Sequence, residues 1–570
     1  MPLYTFGPFV VDCEEYRLTR DGGRVAVPKK AWQILLLLAE AGGRLVPYEA
    51  LRERLWPNIV VEDHTLAVHV STLRKALGGG APSTYIETVT GEGYRLAVPV
   101  RVMSAGRSPS RAGGLRSVEA PPLAVGSFST VNQSDADGYL GVGIADALTT
   151  ALGGLPGLTV SAAGAVEDLA RARALGLKYL LEGAVQRSEG QLEVSARLVD
   201  VMSGRTQWSE QFARPQADGI VLQDQIATRV ATSLSQMSAV DDGLHSYRPR
   251  AAEAYFLQLQ ARAHLKPFTR LPLLKALTLF EQALVLDPDY AMAHAGLAST
   301  YLLMASTAML RPLPVDEAMP MARRSAERAL TLDDSLAEAW AALGRVKMEH
   351  DWDWDGAEAD LERAVTLNSS SVEALAAFGE FLSAMGRHDE AIEAMEKARQ
   401  LDPRRVETLQ HLGIAYWMAG KGERALEAVS DSLKIAPGSP RGHYGRMLIL
   451  DQLGRRDEAM AERLATLRGL SIAEGLAEQV EALARSQGWQ AAMALWISLL
   501  ERTNRWEGAA MQWMAVGDRV RALDALEHCV RARTTYLSFT GQSPCFRPLH
   551  GDPRFQQILR TLNLEGRVDA

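Results

Sequence analysis

Residues 63–77 read Asp-His-Thr-Leu-Ala-Val-His-Val-Ser-Thr-Leu-Arg-Lys-Ala-Leu. Leu66, Val70, Leu73 and Leu77 recur at the spacing that puts apolar side chains on one face of a helix. The other side then holds His69, Thr72 and Lys75, flanked by Ser71 and Arg74. Such a helix buries one stripe and offers hydroxyls, an imidazole and cations to something outside the fold. After a loop come Tyr85-Ile86-Glu87-Thr88-Val89, Thr90-Gly91-Glu92-Gly93 and Tyr94-Arg95-Leu96. Two short strand-like runs around a glycine-bearing turn predict a hairpin.

Working upstream, Tyr4 to Val27 is strand-rich, with a turn at Asp21-Gly22-Gly23. Lys29 to Ala41 is an apolar-striped helix that stops at Gly42-Gly43, and Pro47 to Leu55 opens a second helix on its proline. A sheet, three helices and a hairpin describe a winged helix over residues 1–100. The segments Tyr48-Glu49-Ala50-Leu51, Leu55-Trp56-Pro57, Val60-Val61-Glu62-Asp63, Val68 to Leu77, Glu87-Thr88-Val89 and Gly93-Tyr94-Arg95 resemble the OmpR/PhoB-type DNA-binding domain. The resemblance implies a third helix in the major groove of double-stranded DNA and a wing on backbone or minor groove. It places His69, Ser71, Thr72, Arg74 and Lys75 against DNA from the helix, and Thr88, Thr90 and Tyr94 from the wing. Arg74 and Lys75 would meet phosphates; Ser71, Thr72 and His69 would reach base edges or phosphate oxygens.

The sequence departs from that family where it often has arginine: at Ser71, Thr72 and His64 in the helix, and at Glu87 and Thr90 in the wing. Residues 1–100 hold eleven Lys/Arg and eleven Asp/Glu, so the segment is neutral. Fewer cations release fewer counterions. Weak, shallowly salt-dependent binding by one domain is expected, with self-association on repeated half-sites supplying affinity. No receiver-type segment stands ahead of the domain in this sequence, so aspartyl phosphorylation in cis is not expected to control it. The order resembles CadC-like and HilA-like regulators, here without a membrane helix.

Residues 101–120 are rich in Gly, Ser, Pro and Arg and lack an apolar period, as a flexible linker does. Residues 121–238 alternate strand-like and helix-like runs and predict an α/β domain. Pro122-Leu123-Ala124-Val125, Gly143 to Leu148, Leu155 to Leu158, Tyr179 to Gly183 and Leu222 to Ile226 resemble a TolB-like module. Gly141-Val142-Gly143 lacks the third glycine of a phosphate-cradling loop and is not expected to bind nucleotide.

From residue 250 to 533 the chain reads as helical repeats. Gly386, Gly420 and Gly454 stand 34 residues apart, as do Ala391, Ala425 and Ala459, Pro403 and Pro437, and Gly379 and Gly413. A fixed 34-residue step with small residues at helix crossings and Pro after the second helix resembles the tetratricopeptide repeat, and implies a protein or ligand partner for the solenoid. Pro312 and Pro314 predict an inserted loop between Ser306 and Pro320, and residues 534–570 are expected to be a C-terminal tail. Asp351-Trp352-Asp353-Trp354-Asp355 is expected to be a loop whose tryptophans pack inward rather than a cation site.

The expected architecture is multidomain: an α+β winged helix, a TolB-like α/β domain and an all-α tetratricopeptide solenoid. The composition is 47% hydrophobic and 23% charged, with mean hydropathy −0.08 and net charge −8. No run approaches the length of a membrane span, and the start has neither the basic region nor the apolar core of a signal peptide. Cys13, Cys529 and Cys545 are too few and too scattered for a disulfide framework or zinc site. A cytoplasmic location and no metal or cofactor are therefore expected. No Ser/His/Asp, Cys/His or metal-ligand arrangement supports an active site. Two other readings are an interaction scaffold whose winged helix contacts protein, and an enzyme, since TolB-like modules also accompany cyclase domains; no such domain is visible.

Overall fold

The computed structural model describes residues 3–6, 9–12, 17–20, 23–25, 27, 29–40, 45–48, 51, 63–77, 85–89, 93–97 and 101–103, then 122–130, 139–155, 158–161, 166, 168–188, 190–234, 252–265, 270–306, 313–470 and 475–567. The chain divides into two compact units, Met1–Ser117 and Val118–Ala570.

In the first unit, strands β1 (Leu3–Phe6), β2 (Phe9–Asp12), β3 (Arg17–Arg20) and β4 (Gly23–Val25) form an antiparallel meander. Helix α1 (Lys29–Glu40) follows, then a two-residue strand β5 (Val46–Pro47), helix α2 (Asp63–Ala76), the hairpin strands β6 (Ile86–Val89) and β7 (Gly93–Leu96), and β8 (Arg101–Met103). The sheets run β4-β3-β2-β1-β8 and β5-β7-β6. One core joins them: Phe9 and Leu18 from the meander, Trp32, Leu35 and Leu38 from α1, Leu66, Val70 and Leu73 from α2, and Ile86 and Leu96 from the hairpin. Two expectations need correction. Arg101–Met103, read as the start of a linker, pairs antiparallel with β1, because the open edge of a meander satisfies its backbone groups with another strand. Pro47, read as the first residue of a helix, pairs with Gly93 in the small sheet. Residues 49–50 and 52–62 of the second-helix region, the Asp21-Gly22 part of the first turn, and 104–120 of the linker lie outside the described residues.

The second unit begins with β9 (Pro122–Thr130), α3 (Leu140–Gly153), β10 (Thr159–Ser161), α4 (Leu169–Ala174), β11 (Tyr179–Ser188), β12 (Gln191–Asp200), β13 (Thr206–Pro215) and α5 (Gly219–Leu234). The sheet order is β10-β9-β11-β12-β13; β10 and β11 pair parallel with β9, and β11, β12 and β13 pair antiparallel. The glycine pair at the start of α3 is a packing device. A Cβ on Gly141 would lie 1.9 Å from the Phe128 carbonyl oxygen, and one on Gly143 would lie 2.9 Å from Leu259 Cβ.

Helix Ala252–Leu265 opens an array of antiparallel helix pairs that continues to Arg519–Arg531. One apolar core runs without a break from the α/β sheet (Leu123, Leu181, Val194) through α3 and α5 into the first repeat helices (Phe256, Phe280, Tyr301). The α/β region thus caps the solenoid, covering the apolar face that a first repeat has no earlier neighbour to cover. The insert expected between Ser306 and Pro320 does not extend past Pro314. Residues 307–312 are outside the described set, and helix Val315–Leu332 starts directly after Pro314 and accommodates Pro320 in its second turn.

Residues 534–567, read as part of a C-terminal tail, are folded. Residues 535–539 and 544–549 form 3-10 turns and Pro553–Thr561 a helix. Their anchor is the acidic–aromatic run. Trp352 and Trp354 are buried, as expected. Trp354 Nε1 donates to the Leu562 carbonyl at 2.8 Å, Asn563 donates to the Trp352 carbonyl at 3.3 Å, and Arg567 pairs with Asp355 at 2.9 Å. Phe546, Phe555 and Leu559 join the repeat core. Among the described residues, no helix is long and apolar enough to cross a membrane.

Candidate DNA interface

Helix α2 is held by its apolar stripe: Leu66, Val70, Leu73 and Leu77 are all buried. Opposite them, Val68, Ser71 and Lys75 are exposed, and His69 and Thr72 are half-buried. Val68, Ser71, Thr72 and Lys75 stand at i, i+3, i+4 and i+7, so they share one outward face. The Thr72 hydroxyl donates to the Val68 carbonyl at 3.0 Å. Val68 was missed in the sequence because apolar residues on a helix are first assigned to the core. At 46% exposed it is an apolar patch on a polar face. The signal was available: Val68 lies two residues beyond Leu66 and therefore off the buried stripe.

The hairpin pairs Ile86 with Leu96, Glu87 with Arg95, Thr88 with Tyr94 and Val89 with Gly93. The start of its second strand is fixed by close approach: a Cβ on Gly93 would lie 2.1 Å from the Val46 carbonyl oxygen. Thr88 is exposed. Tyr94 is not, and the expectation that it faces DNA is corrected. Strand alternation places Tyr94 with Leu96 on the inner side and turns Arg95 outward. Tyr94 is 6% exposed and meets the Tyr48 ring edge-on at 5.3 Å between centroids. Burial and the neighbouring Tyr48 raise its phenol pKa. Thr90 lies outside the described residues.

Arg74 is not simply directed outward either. Its Nη2 donates to the Ile86 carbonyl at 2.9 Å and to Thr88 Oγ1 at 2.7 Å, and Nε donates to Ile86 at 3.3 Å. The guanidinium also lies 5.8 Å from the Tyr94 ring centroid. The wing's own cation is engaged as well. Arg95 Nε bonds Glu87 at 2.8 Å across the strands, which lowers the Glu87 carboxyl and raises Arg95. The surface shared by helix and wing thus presents hydroxyls, one valine and Lys75, with two of its arginines bonded within the domain.

The repeats carry a second feature, a cavity of about 1080 Å³ on the inner side of the array. Arg262 bonds Asp146 of α3 at 2.8 Å and Glu338 through two bonds of 2.8 Å. Further along the wall, Arg405 pairs with Glu373 and, at 3.2 Å, with Glu407. Glu380 lies 2.6 Å from His411. Burial raises the Glu380 carboxyl, but His411, Arg345 and Arg441 outweigh it and pull the pKa down to about 2. Thr535, Ser538 and Phe539 of the returning C-terminal segment close one side.

A helix with a polar outer face, a wing bound to it and a sheet behind both define a winged-helix DNA-binding domain, here in a chain that also carries helical repeats. The chain is a DNA-binding transcription regulator of that class. Residues 22–96 match the family described as "Transcriptional regulatory protein, C terminal", and residues 353–406 and 382–446 match tetratricopeptide repeat families. The transcriptional regulator HilA of Salmonella typhimurium is 23% identical over 421 residues, covering 73% of this chain and 74% of the relative. A putative adenylate cyclase 3 of Rhizobium meliloti is 28% identical over 188 residues. That match takes in 31% of this chain and only 32% of the cyclase relative. The solved DNA-binding domain of Escherichia coli CadC is 26% identical, covers 18% of this chain and 97% of its own, and has a TM-score of 0.17.

Proposed function

We propose that this chain reads double-stranded DNA by sequence through Val68, His69, Ser71, Thr72 and Lys75 of α2 in the major groove and Thr88 and Thr90 of the wing on backbone or minor groove. The observation that carries the reading is the shared outward face of Val68, Ser71, Thr72 and Lys75, held rigid by a fully buried stripe. The chemistry suits the role. Hydroxyls accept from and donate to base edges, a valine methyl packs on the thymine methyl, and a lysine meets phosphate. Arg74 and Tyr94 support that face from within the domain.

The same proposal divides the work along the chain. Residues 1–100 bind DNA, 121–238 cap the repeats and connect them, and 250–533 receive a protein or ligand that sets activity. The large, ion-pair-lined cavity supports the last assignment, since sites of this kind are concave with a few fixed polar groups. The protein acts in the cytoplasm, associates with itself on repeated half-sites and catalyses no reaction.

In vitro selection of duplexes on the full chain tests the reading; a recurrent site that Ser71→Ala and Lys75→Ala weaken is the expected result. The second reading, a repeat scaffold whose winged helix contacts protein, is favoured by the internal bonding of Arg74 and Arg95. It predicts equal, background recovery of DNA by the wild type and both variants.

A further inference from the structure

We infer that Arg74 is a positioning residue: it fixes the wing to the recognition helix and sets their mutual register, instead of neutralising a phosphate. The inference rests on the DNA-binding reading for its consequence and on geometry for its substance. Arg74 stands in the last turn of α2, where a guanidinium reaches past the end of the helix. It meets the first residue of β6 through the Ile86 carbonyl and the third through the Thr88 hydroxyl. Bonds at two points along one strand fix both its distance from the helix and its rotation, which one contact does not. The planar guanidinium also lies over Tyr94 on β7, so both strands of the hairpin are tied to the helix by a single side chain. A guanidinium has five N–H donors and remains charged, so it makes these bonds without being neutralised.

Thr88 then has two neighbours to serve. Its hydroxyl accepts from Arg74 and keeps its own proton to donate outward. The register matters because a winged helix reads DNA at two places, and their separation is fixed by whatever joins helix and wing. Lysine does not substitute for this: it is a point charge with no fork, and it keeps a phosphate contact but loses the two-point bond.

The test uses the full chain with Arg74→Ala, Arg74→Lys and Lys75→Ala, measured for duplex affinity against salt and for amide hydrogen exchange of the free protein. The duplex is one recovered by selection on the wild type. Both Arg74 variants are expected to speed exchange at residues 86–89 by about ten-fold or more, the loss of charge-assisted hydrogen bonds. Both lower affinity while leaving the salt slope at its wild-type value. Lys75→Ala does the reverse: exchange is unchanged and the slope falls by about 0.9, one phosphate contact. The inference is overturned if Arg74→Lys restores wild-type affinity, if Arg74→Ala reduces the slope as Lys75→Ala does, or if exchange at 86–89 does not change. A wild type that binds no duplex removes the DNA-binding reading, while the exchange data still decide whether Arg74 holds the wing.

Discussion

At the scale of single residues, the periodicity of 63–77 located the helix and its buried stripe, since burial of Leu66, Val70, Leu73 and Leu77 follows from spacing alone. What spacing does not carry is the partner of each polar side chain. Arg74 and Tyr94 look like outward-facing groups in the sequence, but Arg74 is bonded to a hairpin ten or more residues away and Tyr94 is buried against Tyr48, partners that spacing within one element does not reveal. Asp224, in α5, is another residue whose state depends on the fold. Burial raises its carboxyl from 3.8 to about 7. In the unfolded chain the same group titrates near 4, as a free aspartate does at about 3.9. Between those values folding takes up a proton. The stability it contributes is complete below about pH 4 and is lost as the pH rises through about 7. Asp224→Asn is therefore expected to raise the thermal midpoint of the second unit at pH 8 and leave it nearly unchanged at pH 4, as read by calorimetry. An equal shift at both pH values would show that burial of the charge is not the cause.

At the scale of elements, the 34-residue step announced helix pairs, but it merged two kinds of glycine. Gly379 and Gly413 lie at true crossings: a Cβ would come within 2.9 Å of Met395 and 2.4 Å of Val429. Gly386, Gly420 and Gly454 instead have φ of 75°, 72° and 73° and end the first helix of their repeats in the left-handed region. Both kinds share the period, so the sequence does not separate them, whereas the substitutions they tolerate do. Gly420→Ala is expected to cost about 1 kcal/mol, with Gly420→Asn milder because asparagine accepts the left-handed conformation. Gly413→Ala should cost roughly 1–3 kcal/mol and Gly413→Asn more, because the obstacle is volume. Denaturant unfolding of the four variants reads the difference; the same ranking of Ala and Asn at both sites would refute the distinction. The strand at Arg101–Met103 and the folded C-terminal segment were illegible for a related reason. Arg101–Met103 has no apolar period of its own and is ordered by pairing with β1, whereas the C-terminal segment carries a short one, Phe555, Ile558, Leu559 and Leu562, whose docking surface at the Trp352–Trp354 turn lies about two hundred residues away.

At the scale of the molecule, the second unit is joined by well-buried polar contacts in addition to its apolar clusters. Arg262 links α3 to the helix Ala337–Val346 through Asp146 and Glu338, with all three side chains largely shielded. Removing the guanidinium leaves two carboxylates facing each other, and Arg262→Ala is expected to destabilise this unit by roughly 3 kcal/mol. Adding Asp146→Asn and Glu338→Gln should recover much of that loss; no recovery would mean that packing, not charge, is what Arg262 supplies. The first unit is the one whose function the chain's organisation declares, and its claim is specific. A neutral domain whose wing arginine is bonded to Glu87 and whose helix arginine is bonded to the wing must recognise DNA with few phosphate contacts. The most direct test is the salt dependence of full-chain binding to a selected duplex. Saturable, sequence-dependent binding is predicted, with a slope of log K against log salt no steeper than about −4 for each bound chain, equivalent to about four phosphate contacts. A clearly steeper slope, binding that is equally tight to unrelated duplexes, or no binding at any salt concentration would contradict it.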